Sequence, residues 1–80
     1  MGNEFSDIAY GSTESEACLG LISGLRAIYP KIMQIDVLDA DKTPLKNLDI
    51  PRYLQITPYG LYRLEYVPVN GQILAKINYE

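Results

Sequence analysis

Apolar and polar residues alternate with two different periods along this chain, and the change of period separates strands from a helix. Between residues 14 and 29 the apolar positions recur at helical spacing. Ala17, Cys18, Leu21, Ile22, Leu25, Ile28 and Tyr29 fall within about 140° of arc on a helical wheel, wide enough for a core face. Arg26, Ser23 and Glu16 lie opposite, while Gly20, Gly24 and Ala27 form a flank without bulk. Thr13-Glu14-Ser15-Glu16 supplies a capping box, in which the Thr13 hydroxyl accepts from the third helical amide and Glu16 reaches back. Pro30 ends the helix, because the residue before proline is pushed out of the α region.

Elsewhere the period is two. Residues 4–10 read as a short strand with Ile8 and Tyr10 on one side, broken by Gly11-Ser12. Residues 31–40 read as a strand in which Met33, Ile35 and Val37 alternate with Gln34 and Asp36. Asp39-Ala40-Asp41-Lys42 is a turn, since aspartates hydrogen-bond their own backbone, and residues 43–51 are irregular between Pro44 and Pro51. Tyr53–Thr57 follows as a strand with Leu54 and Ile56 inward.

The end of the chain is the most explicit. Residues 60–68 and Gln72–Tyr79 flank Asn70-Gly71, the pair favoured in two-residue type I′ turns. Such a turn sets Val69 opposite Gln72, Val67 opposite Leu74, Glu65 opposite Lys76 and Arg63 opposite Asn78. The other side of the ribbon then pairs Pro68 with Ile73, Tyr66 with Ala75, Leu64 with Ile77 and Tyr62 with Tyr79, one continuous apolar face. The fold expected is α+β: one amphipathic helix on a mostly antiparallel sheet of four to five strands, ending in a β-meander. The first strand should run parallel to the second, and the closing strand should form a sheet edge.

Eighty residues make a single small domain, in which extra burial often comes from staples or a partner subunit. Cys18 is the only cysteine and histidine is absent, so neither an internal disulfide nor an ordinary zinc site is expected. The lone thiol suits a reducing, cytoplasmic setting. At 48% hydrophobic residues the chain is too apolar for disorder, and no apolar run approaches membrane-spanning length. Without histidine, Ser-His-Asp and Cys-His catalysis are excluded within one chain. No catalytic residue, metal ligand or cofactor site is therefore assigned.

Charge is unevenly distributed. Residues 1–41 hold seven acids and two bases (−5), residues 42–80 three acids and five bases (+2), giving a net charge of −3. That balance opposes non-specific nucleic-acid binding and suits an oriented protein partner.

Three short motifs carry candidate chemistry. Asp39, Asp41 and Thr43 follow an apolar strand with D-x-D-x-T spacing, which superficially resembles the nucleophile motif of haloacid-dehalogenase-like phosphatases. That resemblance implies a phosphate-attacking aspartate with magnesium; the remaining residues are too few for the rest of such a fold. The same string opens like a calcium loop, yet Pro44 stands where glycine is needed and Ile50 where glutamate is needed. A hydrophilic hairpin turn is the simpler reading. Met1-Gly2-Asn3-Glu4-Phe5-Ser6 fits the N-myristoylation pattern, with no basic stretch to support anchoring.

The interaction candidates are the Gly20, Gly24, Ala27 ridge and the cluster of Tyr53, Tyr59, Tyr62, Arg63, Tyr66 and Tyr79. Small residues four apart permit close backbone approach, either on the sheet or against another helix. Aromatics with Arg52 and Arg63 nearby could stack bases, but the same rings must cover the helix. The function expected is a small non-enzymatic protein-interaction module acting as a homodimer. The alternatives are a small-molecule binder or enzyme using Tyr, Arg and carboxylate groups at a subunit interface, and, behind it, a single-strand nucleic-acid binder.

Overall fold

A computed structural model describes residues 7–80. Its elements run β1 (Ile8–Gly11), α1 (Glu14–Ile28), β2 (Gln34–Leu38), β3 (Tyr53–Thr57), β4 (Gly60–Val69) and β5 (Gln72–Tyr79). The strands form one five-stranded sheet in the order β1-β5-β4-β3-β2, with every neighbouring pair antiparallel. The helix lies on one face, against β1 and β5. This is the α+β architecture expected.

Local chemistry sets each element. At the N-cap the Thr13 hydroxyl accepts from the Glu16 amide at 3.2 Å, and the Glu16 carboxylate accepts from the Ser12 amide at 3.0 Å. The capping box is therefore displaced by one residue at its return bond, which goes to Ser12 rather than Thr13. Caps of this kind contribute about 1 kcal/mol. Tyr29 closes the helix by donating its amide to the Leu25 carbonyl at 2.8 Å. Asn70 and Gly71 take φ of 51° and 80°, and the β4–β5 register matches the type I′ turn at every pair from Tyr62↔Tyr79 to Val69↔Gln72.

Ala17, Cys18, Leu21 and Leu25 of the helix meet Leu54, Ile56, Tyr62, Leu64, Ala75 and Ile77 of the sheet in one core. Complete burial of side chains such as Leu21, Leu25, Leu54 and Ile56 is worth about 1.5–3 kcal/mol each against full exposure.

Four expectations need correction. The closing strand is not an edge: β5 lies between β1 and β4, so the edges are β1 and β2. Its outer partner is β1, which pairs through Ile8↔Lys76 to Gly11↔Ile73. The first strand runs on through Gly11, where a break was expected; Ile8 and Tyr10 do share one side, the half-exposed one away from the core, while the small Ala9 turns to the core. Ile28 sits on the core arc of the wheel yet is 56% exposed, since the last turn reaches the end of the packed layer. The second strand is shorter than residues 31–40, and Met33 stands outside it, exposed. As expected, β1 and β2 run in the same direction, but three strands separate them.

Candidate functional site

Two regions of the surface combine exposure with chemistry. The first is the free edge at β1. Antiparallel registers place Tyr10 beside Leu74 and Leu74 beside Val67, an apolar row on the sheet face that the helix leaves open. One row along, Ile8 neighbours Lys76, whose ammonium pairs with Glu65 at 3.8 Å. At the opposite edge the chain protects itself. Leu38 bridges to Pro44 and the Leu45 amide donates to Val37 at 3.2 Å, so the turn after β2 folds back over that strand's outer side. Only β1 offers an edge without such a cover among the described residues.

The small-residue ridge accounts for how β1 is held. A Cβ on Gly20 would stand 3.3 Å from the Ala9 Cβ, and one on Gly24 would stand 2.6 Å from Asp7 Oδ2. The ridge thus docks on its own chain's first strand; Ala27, on the same flank, remains exposed. That same Asp7 oxygen is buried without a hydrogen-bond partner among the described residues.

The second region is the far end of the sheet. The turn after β2 is stapled by one carboxylate: Asp39 Oδ1 accepts from the Asp41 and Thr43 amides at 2.9 and 3.1 Å, and Oδ2 accepts from the Thr43 hydroxyl at 2.8 Å. The backbone and hydroxyl bonds from Thr43 hold the Asp39 carboxyl below the usual carboxylate range. The spacing that resembled a phosphatase nucleophile is therefore a turn staple, with both oxygens occupied. Among the described residues, no group of three metal-ligating side chains is assembled.

That staple positions Lys42. Its amide donates to the Asp39 carbonyl at 2.9 Å and its φ is 64°, a left-handed conformation costing a residue with a Cβ about 1 kcal/mol. The Lys42 ammonium comes to 5.1 Å from the centre of the Tyr53 ring. Arg63 lies directly across from Tyr53 in the β3–β4 register. Arg52, Tyr53, Arg63, Leu64 and Ala40 line a recess of about 220 Å³. A larger concavity of about 370 Å³ adjoins it, sharing Ala40 and Arg52 and carrying Asp39, Asp41 and Asp49.

The remaining tyrosines serve the core. Tyr62 is fully buried, with the Tyr79 ring edge-on at 5.2 Å, and Tyr59 packs partly buried against the core. Tyr66 is half-buried and donates its hydroxyl to the Pro51 carbonyl at 2.6 Å. These rings therefore form no open stacking platform. Of the aromatic candidates, Tyr53 and Arg63 are brought together; Lys42 and Arg52 join them, Lys42 having carried no separate signal in the sequence. The N-myristoylation pattern and the start of the first predicted strand lie outside the described residues.

No protein-family model, curated protein or solved structure matches this chain.

Proposed function

We propose that the protein is a small non-enzymatic interaction module that binds other protein chains through its β1 edge, and that it self-associates there as a homodimer. The observation supporting this reading is the pairing of an uncovered strand edge with exposed apolar side chains on the same strand. Ile8 and Tyr10 are 52% and 50% exposed, and Tyr10 begins the row that continues through Leu74 and Val67. A strand edge supplies unpaired backbone groups, and alternate side chains supply specificity. Antiparallel pairing of two β1 strands about Ala9 sets Tyr10 beside Ile8 of the second copy and extends the apolar row across the junction. The arrangement is a two-fold one, and it joins two sheets into one of ten strands.

Sedimentation equilibrium tests this reading. Wild-type protein should dissociate reversibly from dimer to monomer, and the double variant Ile8→Lys, Tyr10→Lys should be monomeric with an unchanged circular dichroism melt. A wild-type monomer at high micromolar concentration removes the homodimer. A double variant that still dimerises moves the interface away from β1.

A further inference from the structure

We propose that the recess lined by Arg52, Tyr53 and Arg63, with Lys42 held over the Tyr53 ring, is a binding site for the phosphate group of a small ligand. Three cationic residues neighbour one tyrosine: Lys42 with its ammonium over the ring, Arg63 opposite across the strand pair, and Arg52 beside it in the chain, both arginines lining the recess. Like charges so placed repel one another, and an anion between them removes that repulsion. Asp39, Asp41 and Asp49 line the adjoining concavity that shares Arg52, but none of them forms an ion pair with the three cations. Arg63 reaches Glu80 only through Nε at 3.9 Å, with both side chains substantially exposed. Among the described residues, no carboxylate lies within 4.0 Å of Arg52 or Lys42.

The turn geometry points the same way. A β-turn followed by a left-handed residue that re-enters the ladder is where glycine is favoured. This chain has lysine there, at φ 64°, and its side chain is the one over Tyr53. Backbone held in a sparsely populated region is a reason to look for a use of the side chain. Two guanidinium groups match phosphate oxygens as forks and the ammonium adds a point charge, a combination suited to a dianion. The recess, at about 220 Å³ and open to solvent, has room for a phosphate with a small organic group. The site lies on β3 and β4, apart from the β1 edge, and it stands whether or not the chain dimerises.

Titration of the full chain with inorganic phosphate and with glycerol phosphate, followed by amide chemical shifts, tests the site. Saturable shifts should centre on Lys42, Tyr53 and Arg63 with a Kd on the order of 1 mM. Tighter binding of the ester assigns an esterified ligand, and tighter binding of the free ion assigns phosphate itself. Lys42→Gly is the discriminating variant: glycine suits the left-handed turn, so the fold should be at least as stable, while affinity falls about five-fold or more. Arg63→Gln should weaken binding similarly, and Lys31→Gln, which removes the same charge from outside the recess, should leave it unchanged. Absence of saturable shifts with either probe up to about 20 mM overturns the proposal. So does an equal loss in Lys42→Gly and Lys31→Gln, or acetate binding as tightly as phosphate.

Discussion

The Tyr66 hydroxyl donates to the carbonyl of Pro51 at 2.6 Å, fastening the middle of β4 to the loop that precedes β3. The phenol has one hydrogen, and Pro51 takes it. The same side chain lies against the buried Cys18 thiol, so helix, sheet and loop meet at Tyr66. Tyr66→Phe should lower stability by about 1–2 kcal/mol, because the Pro51 carbonyl loses its donor. Urea denaturation with an unchanged slope checks this, and a loss below about 0.3 kcal/mol contradicts it.

Cys18 makes stability depend on alkaline pH. Burial, partly offset by the Tyr66 hydrogen bond, pushes its thiol up to about 11 from 9.0. The folded state thus holds the proton more tightly than the unfolded one. Its contribution is complete below about pH 9 and is lost as pH rises through about 11, amounting to about 2–3 kcal/mol. Tyr66 is shifted upward too, chiefly by burial, and acts with the same sign at higher pH. Cys18→Ala should flatten the decline in melting temperature between pH 8.5 and 10.5. In the native wild type a thiol reagent should label Cys18 only as fast as the protein opens.

The closing turn separates backbone strain from packing. Nothing lies within 4 Å of where a Cβ on Gly71 would stand, so a substitution there acts through φ alone. Gly71→Val should cost about 1–2 kcal/mol or more, a fall of several degrees in Tm, whereas Gly71→Asn should cost less than half as much. Thermal melts of the two variants decide it. Equal melts would remove the left-handed requirement.

Close approach predicts a ranking among glycines at the β1–helix junction. A Cβ on Gly11 would stand 2.5 Å from the Ala17 backbone nitrogen, which cannot move without shifting the helix. On Gly20 the nearest contact is the Ala9 methyl at 3.3 Å. Gly11→Ala should therefore destabilise by about 2 kcal/mol or more. For Gly20→Ala the mild crowding is offset by alanine's better helix propensity, leaving a change within about 0.5 kcal/mol. Denaturation midpoints check the order.

The sequence was most informative where a single local feature dictated geometry. Asn70-Gly71 fixed the register of eight cross-strand pairs, and the capping box with Pro30 bounded the helix to within one residue. The place of β1 was harder to read because its large residues point away from the core. The alternation puts Ile8 and Tyr10 on one side without saying which side packs; the inward residue is Ala9, small enough for Gly20 to approach. The ridge of Gly20 and Gly24 was half of a complementary fit, with Ala9 and Asp7 as the other half. Lys42 became a site candidate only through the left-handed turn and the β3–β4 register, which bring together residues distant in sequence.

Amide hydrogen exchange measured at two protein concentrations tests most directly whether β1 is the edge through which this protein meets another chain. Raising the concentration from low to high micromolar should slow exchange of the outward-facing amides between Ile8 and Gly11, leaving those of β2 unchanged. Exchange at β1 that is indifferent to concentration, or a slowing confined to β2, contradicts the account.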